Sequence, residues 1–235
     1  MTDISIIFED DSICVINKPS GIVVNEAESS RGNTIQSWFE AKNPGIQEYR
    51  NLEFGQKGGV VHRLDKDTSG VMVLAKTPEA YTVLKQQFLE RKTVKKYVAL
   101  VHGKFKENDG VITAPLMRHP KNRFKFTVGG DVDRSAITEW KVIGQYSMHN
   151  AEFTLLELTP HTGRTHQLRV HLQSINHPIV SDPIYGFAKR IQDDLSWCPR
   201  LFLHAKYLEF IHPVSGEKVH FESDLPLELS ACILE

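Results

Sequence analysis

Short apolar runs separated by turn residues dominate the pattern of hydrophobic and polar positions along the chain. Two such runs, Ile4–Phe8 and Ile13–Asn17, open the sequence, and the second ends at the turn Pro19-Ser20-Gly21. β-Branched and aromatic residues then recur at strand spacing. The further strands predicted in this way are Val71–Lys76, Lys95–Val101, Ala136–Ile143, Glu152–Leu158 and a hairpin of Tyr207–Ile211 with Lys218–Glu222.

Helical patterns are fewer. They are predicted at Thr34–Lys42 with Asn33 or Thr34 as the cap, from Thr77-Pro78 to near Arg91, and at Gly163–Ser174. The glycine-rich stretch Asn43–Gly59 is predicted to be a loop. No strand–helix–strand rhythm is sustained, so we expect an α+β fold with a mixed or mostly antiparallel sheet. No linker marks a boundary, and we treat residues 1–235 as a single domain.

Composition fits a folded, soluble domain. The chain has 235 residues, of which 40% are hydrophobic and 24% charged. The longest apolar runs, such as Val71–Ala75 and Val98–Val101, are much shorter than a membrane span requires. The N-terminus lacks a secretion signal, and the three cysteines stand singly, so we expect a cytoplasmic protein.

The net charge gives little support for nucleic-acid binding over the whole surface. The 28 Lys and Arg residues are balanced by 29 Asp and Glu residues. Any RNA contact must come from local clusters. The segment Met117–Phe126 holds such a cluster, with Phe124 and Phe126 interleaved among the cations Arg118, Lys121, Arg123 and Lys125. Charges for phosphates and rings for bases are typical of RNA-binding surfaces, although a solvated hairpin would show the same pattern.

The segment Gly58–Gly70 is the first that could carry chemistry. We expect Gly58 and Gly59 to lead into a short apolar strand and Asp65 to lie on a loop at its end, where a sheet can direct a side chain at a substrate. The neighbouring cations Arg63 and Lys66 favour the ionised carboxylate that a nucleophile or base requires. The alternative is structural, with Asp65 and Thr68 only building a turn.

Two later segments carry further candidates. Tyr97 lies in a predicted strand, where its ring could stack on a base or pack in the core. Arg169 follows Leu168 on a predicted helix and, if buried, needs a carboxylate partner, for which Asp65 is the first candidate. His166 and His171 on that helix are five residues apart, which is not the spacing of a helical metal pair.

Taken together, these segments resemble the RluA-type pseudouridine synthases. The resemblance rests on His62-Arg63-Leu64-Asp65 with Thr68-Ser69-Gly70, on Lys95–Ala99 and on Gly163–His171. Asn17–Gly21, His177-Pro178-Ile179 and Leu203-His204-Ala205 also fit. The matches follow the family's order from about residue 5 to about residue 220 and so cover nearly the whole chain.

The resemblance implies roles for individual residues. Asp65 corresponds to the catalytic aspartate, Tyr97 to the tyrosine that stacks on the target base and could move a proton, and Arg169 to the arginine that pairs with the aspartate. Leu168 corresponds to an apolar residue lining the uracil pocket. His62 and Arg63 would contact the substrate, with Arg63 filling the space left by a flipped base or holding a phosphate.

The family also sets expectations about architecture and partners. Its fold is a mixed, largely antiparallel sheet in two halves with flanking helices and a central basic cleft. We expect a structured RNA as substrate, either ribosomal or transfer RNA, and no cofactor, metal or membrane. Many relatives have a small RNA-binding domain before the catalytic domain, which is not expected here. RNA choice would then depend on Arg118–Lys125, and a monomer is favoured.

Three other functions fit parts of the sequence. A catalytically inactive RNA-binding relative is disfavoured by the presence of Asp65, Tyr97 and Arg169 together. A hydrolase with Asp65 and Asp67 as a carboxylate pair would need a special turn to direct both carboxylates at one substrate. A metal enzyme built on the eleven histidines lacks ligand spacing. Attack of the carboxylate at the sugar and attack at the base are both open.

Overall fold

The chain forms two compact units. The computed structural model describes residues 4–26, 34–130 and 135–233, and at residue 123 the backbone alone. The first unit contains the residues up to Lys95 together with Ala205–Ser223, and the second contains Lys96–His204 and the residues from Asp224 onward. Within the described ranges, no helix has both the length and the apolar character needed to cross a membrane.

The secondary-structure elements are numbered in chain order. The strands are β1 (Ser5–Glu9), β2 (Ile13–Lys18), β3 (Ser69–Ala75), β4 (Val94–His102), β5 (Asp109–Thr113), β6 (Leu116–His119), β7 (Asn122–Val128), β8 (Ile137–Met148), β9 (Ala151–Pro160), β10 (Leu203–Ile211) and β11 (Lys218–Glu222). The helices are α1 (Ile35–Lys42), α2 (Glu53–Gln56), α3 (Pro78–Leu89), α4 (Gln167–Ser174), α5 (Ile191–Trp197) and α6 (Leu227–Ser230), with 3₁₀ turns at Pro44–Tyr49 and Ala231–Ile233.

The first unit is built on neighbouring strands in the order β1-β2-β3-β10-β11. Strand β3 has no polar side chain after Ser69 and is buried along its whole length, so it occupies the centre of this core. Helix α1 begins at a capping box, in which the Thr34 hydroxyl accepts from the Ser37 amide and the Ser37 hydroxyl accepts from the Thr34 amide, both at 3.0 Å. Helix α3 is capped by the Thr77 hydroxyl.

The second unit contains strands in the order β4-β9-β8-β5 and a separate two-stranded sheet of β6 and β7. Its core gathers apolar side chains from β4, β9 and α4, including the buried residues Leu100, Leu156 and Leu172. The pairs β4/β9, β8/β9, β5/β8 and β6/β7 are all antiparallel. The predicted α+β fold, with largely antiparallel strands in two halves, is therefore confirmed.

Three local predictions were wrong. Asn43–Gly59 is not one loop, because it contains the 3₁₀ turn Pro44–Tyr49 and the single helical turn α2. The strand expected after Gly59 is reduced to one bridge between Val60 and Leu74. Helix α4 begins at Gln167 rather than Gly163, because His166 takes a left-handed conformation and the Gln167 side chain accepts the amide of Arg164.

Candidate active site

Asp65 lies on the loop between the Val60 bridge and β3, as predicted from the sequence. The loop closes with a turn in which the Thr68 amide donates to the Asp65 carbonyl at 3.2 Å. Gly59 permits the close approach that places this loop against β3, since a Cβ atom there would lie 2.2 Å from the Ala75 carbonyl oxygen. Asp65 is half-buried, and its neighbours Arg63 and Lys66 are exposed.

A buried lysine holds the backbone of this loop. The ammonium group of Lys18 donates to the carbonyl oxygens of Pro19 at 2.8 Å, Ile22 at 2.8 Å and Lys66 at 3.0 Å. Its side chain is fully buried at 0% exposure. Three carbonyl dipoles therefore offset the cost of burying the charge, and one of them belongs to the residue that follows Asp65. The sequence signal was Asn17-Lys18-Pro19-Ser20-Gly21, although the lysine itself was not singled out.

The turn after Lys18 adds two more bonds to the same loop. The Gly21 amide donates to the Lys66 carbonyl at 2.8 Å, and the Ser20 hydroxyl donates to the Asp67 carbonyl at 2.8 Å. Consequently the two carbonyls that follow Asp65 in sequence are both hydrogen-bonded to residues 18–21. Fixed backbone on the C-terminal side of Asp65 restricts where its carboxylate can point.

His62 is tied to β3. Its Nε2 atom accepts a hydrogen bond from the Val73 amide at 3.1 Å, and its ring stacks on Phe88 with a centroid distance of 4.3 Å. Burial, together with the nearby Lys95 ammonium group, lowers the pKa of His62 to about 3. The imidazole is therefore neutral at physiological pH, with its proton on Nδ1. Its predicted contact with substrate stays a prediction.

Tyr97 is a residue of β4 in the second unit, opposite Leu158 of β9. It is half-buried and packs against the apolar core of this unit at the end where β4 passes from partly exposed to fully buried residues. The strand thus places an aromatic ring at the margin of the core. Such a position suits either stacking on a base or simple packing, the two alternatives that the sequence left open.

Arg169 lies on α4 and is 2% exposed. Its Nε and Nη2 atoms each donate to one carboxylate oxygen of Asp182 at 2.7 Å, which is the two-pronged geometry that arginine and carboxylate favour. The ring of Tyr185 lies beside the guanidinium group, 5.1 Å from centroid to Cζ. The pairing of Arg169 with Asp65 that the resemblance implies stays a prediction, and Asp182 is a carboxylate partner that the sequence analysis missed.

Asp182 also organises its own turn. One carboxylate oxygen, Oδ1, accepts from the amides of Ile184 at 2.8 Å and Tyr185 at 2.9 Å, and the Asp182 carbonyl accepts from the Gly186 amide. An aspartate followed by proline and, four residues on, by glycine is a turn signal in the sequence, and it could have drawn attention to Asp182. Its pairing with a helix 13 positions earlier has no such local signal.

The other predicted residues of α4 face the interior. Leu168 is buried in the core of the second unit, and its place in a uracil pocket stays a prediction. His171 is buried between two partners, with Nδ1 2.9 Å from the Thr138 hydroxyl and Nε2 3.1 Å from the Ala114 carbonyl. Burial lowers the pKa of His171. Among residues 4–26, 34–130 and 135–233, no cluster of histidine, cysteine or carboxylate side chains is arranged to hold a metal ion.

The predicted basic segment forms the hairpin of β6 and β7. Phe124 near its tip is 73% exposed, and Arg118 and Lys121 are also exposed. Lys125 is half-buried, and its ammonium group donates to the Ile184 carbonyl at 2.7 Å. The side chain of Arg123 lies outside the described part of the chain. The segment is therefore a hairpin, as one alternative of the sequence analysis predicted. RNA binding by its exposed ring and cations stays a prediction.

Comparisons with known proteins point to one family. Residues 12–174 match the family described as RNA pseudouridylate synthase, a range that includes Asp65, Tyr97 and Arg169. A ribosomal large subunit pseudouridine synthase D from Xanthomonas campestris is 38% identical over 96% of this chain and 67% of its own length. An uncharacterized RNA pseudouridine synthase from Aquifex aeolicus is 41% identical over 95% of this chain and 70% of its own length.

A solved structure supports the same assignment. The human RNA pseudouridylate synthase domain containing 1 superposes with a TM-score of 0.77 at 26% identity, covering 98% of this chain and 87% of that one. The chain spans between 64% and 72% of the length of four similar curated relatives. The matched range, these identities and the shared fold confirm the resemblance seen in the sequence, and the chain belongs to the RluA-type RNA pseudouridine synthases.

Proposed function

We propose that this protein isomerises a uridine of large-subunit ribosomal RNA to pseudouridine, with Asp65 as the catalytic carboxylate and without a cofactor. Two similar relatives, from Xanthomonas campestris and Nitrosomonas europaea, are named as ribosomal large subunit pseudouridine synthases D. The observation that carries the proposal is that Asp65, Tyr97 and Arg169 all lie within the range matched by the family. The reaction needs no membrane or metal, and we propose a cytoplasmic monomer.

The chemistry explains the residue types. The bond between uracil N1 and the sugar carbon C1′ must break, the ring must turn, and C5 must bond to C1′ in its place. C5 then loses its proton and N1 gains one, so that atoms balance and the RNA keeps its mass. The carboxylate of Asp65 assists this exchange by attack at either the sugar or the base. A closed pocket keeps the detached uracil from diffusing away.

The remaining residues are assigned by the same proposal. Tyr97 stacks on the target base, and Arg169 provides a positive charge for the carboxylate of Asp65. Arg169 is suited to this role because Asp182 engages its Nε and Nη2 atoms and fixes the plane of the guanidinium group. Leu168 contributes an apolar wall, while His62 and Arg63 contact the flipped nucleotide beside Asp65.

Recognition of the RNA is assigned to the hairpin of β6 and β7. Arg118 and Lys121 supply exposed cations for phosphates, and Phe124 supplies an exposed ring for a base that is not paired. Lys125 is bonded to Ile184 and helps to attach the hairpin to the unit. We also propose that the RNA is bound in the central basic cleft that the family resemblance implies.

The test uses RNA labelled with tritium at C5 of uridine, because formation of the C5–C1′ bond releases that hydrogen to solvent. We expect tritium release from large-subunit ribosomal RNA and an unchanged RNA mass. Transfer RNA serves as the competing substrate, and turnover of transfer RNA alone would contradict the ribosomal assignment. Release of free uracil or shortened RNA would indicate hydrolysis and contradict the isomerase assignment.

A further inference from the structure

The hydroxyl group of Tyr185 joins two separate elements of the second unit. Its Oη atom accepts a hydrogen bond from the Phe126 amide of β7 at 2.9 Å and lies 2.8 Å from Nδ1 of His166, the residue before α4. Because Oη accepts from Phe126, its own proton can be donated to His166. Tyr185 is only 7% exposed, so these bonds have little competition from water.

The ring and the backbone of Tyr185 contact the arginine site. The ring lies 5.1 Å from the guanidinium carbon of Arg169, and the Tyr185 amide donates to the same Asp182 carboxylate that holds Arg169. A cation beside an aromatic face is stabilised by the ring's quadrupole, and burial strengthens that attraction. One tyrosine therefore contacts the hairpin, the start of α4 and the arginine.

A second tether reinforces the attachment of the hairpin. The Lys125 ammonium group donates to the Ile184 carbonyl at 2.7 Å, one residue before Tyr185 in sequence. The Phe126 ring also meets the His166 ring edge-on, with centroids 5.9 Å apart. Two consecutive hairpin residues are thus bonded to two consecutive residues of the turn that Asp182 organises.

From these contacts we propose that Tyr185 is a positioning residue for the reaction, coupling the seating of RNA on the hairpin to the placement of Arg169. The inference rests on the proposed function, in which the hairpin binds RNA and Arg169 acts at Asp65. Loss of the hydroxyl would let the hairpin and α4 move independently. RNA would still be bound through the unchanged cations, but the target nucleotide would be less well aligned with the catalytic residues.

The test is Tyr185→Phe, which keeps the ring beside Arg169 and removes only the hydroxyl. Both hydrogen bonds of the hydroxyl are lost, and we expect the single-turnover rate at saturating RNA to fall about tenfold or more, with little change in the dissociation constant of the RNA. Tyr207→Phe is the matched control, since its hydroxyl bonds to Glu209 at 2.7 Å in the first unit. That control should keep the wild-type rate.

A purely structural role makes a different prediction. Tyr185→Phe would then unfold at lower denaturant, while its folded fraction would retain the wild-type single-turnover rate, and this result would overturn the proposal. Lys125→Met supplies a second comparison, because either substitution releases the same attachment. We expect the rate losses of Tyr185→Phe and Lys125→Met to be less than additive in the double variant. Fully additive losses would show that the two tethers do not act on one element.

Hydrogen exchange measured without RNA tests the attachment of the hairpin independently of the proposed function. The Phe126 amide should exchange faster in Tyr185→Phe than in the wild type, whatever reaction the protein performs. Unchanged exchange would refute the attachment itself. Absence of tritium release from the wild type would refute the proposed function, and faster exchange with an unchanged rate would refute the positioning role alone.

Discussion

The ammonium group of Lys18 lies 3.0 Å from the carbonyl oxygen of Lys66, one residue beyond Asp65. It is a buried cation whose three bonds described above all go to backbone carbonyl groups, so its removal takes one donor from each of them and leaves the Lys66 carbonyl with the Gly21 amide. We expect Lys18→Met to lower the free energy of unfolding by about 1–3 kcal/mol and to reduce turnover as the Asp65 loop loosens. Chemical unfolding and tritium release measure the two effects. The exposed Lys57→Met is the control, and equal behaviour of the two variants would contradict this role.

Asp65→Asn should abolish isomerisation while preserving fold and RNA binding, since shape is kept and the charged oxygen is lost. A drop of roughly 10³-fold or more is expected for loss of a reacting carboxylate. Asp67→Asn makes the same chemical change two residues away and should retain activity. Single-turnover tritium release and RNA affinity provide the measurement, and appreciable turnover by purified Asp65→Asn would remove Asp65 from the mechanism.

Arg169→Met should destabilise the second unit, because it leaves the buried Asp182 carboxylate with only backbone donors among the partners described above. Breaking a buried ion pair on one side costs about 3–5 kcal/mol. Adding Asp182→Asn to Arg169→Met removes the unpaired charge and should recover part of that loss. Activity should stay low in both variants if Arg169 acts in the reaction. No recovery of stability in the double variant would show that the pair is not the source of the cost.

Stability should fall in acid partly through His62. Its folded pKa is about 3, below the ordinary 6.5, so the unfolded chain binds a proton more readily between these values. The contribution of His62 is thus fully present above about pH 6.5 and is lost as pH falls toward 3, by at most about 1.4 kcal/mol per pH unit. His62→Gln keeps a polar side chain near Val73 and cannot titrate. Its unfolding free energy should depend less steeply on pH than that of the wild type in this window, and parallel curves would contradict the assignment.

The hairpin cations should govern RNA affinity rather than chemistry. Replacing Arg118 and Lys121 together by serine removes two exposed charges without touching the Lys125 tether. We expect weaker binding and a salt dependence whose slope falls by about one unit for each phosphate that is no longer bound. Turnover at saturating RNA should persist. Lys106→Ser, an exposed cation elsewhere in the second unit, is the control, and an unaltered slope in the double variant would show that the hairpin does not bind phosphates.

The sequence predicted the elements whose signals are local. The cap Thr77 was predicted correctly, Thr34 is one of the two caps predicted for α1, and strands β1–β4 and β8–β11 overlap predicted strands, because side-chain oxygens and residue shape act within a few positions. The helical turn α2 was missed because its glycine-containing sequence is weak as a helix and depends on packing, with Phe54 buried in the core of the first unit.

In the candidate site, too, residues with local sequence signals were predicted and their long-range partners were not. Asp65, Tyr97 and Arg169 could be chosen because they lie in recognisable segments. The partners that hold them could not, since Lys18 reaches Lys66 across 48 positions and Asp182 reaches Arg169 across 13. Such long-range hydrogen bonds depend on the tertiary fold, and no local sequence pattern predicts them.

The hairpin bonds to Tyr185 through the main-chain amide of Phe126. A backbone donor is common to every residue except proline, so most substitutions at this position would leave that bond in place. The side chains of the exposed hairpin residues are therefore not needed for this attachment. Their sequence can vary without loss of this bond, and, with the hairpin binding RNA as proposed, the choice of RNA could change without rebuilding the arginine site.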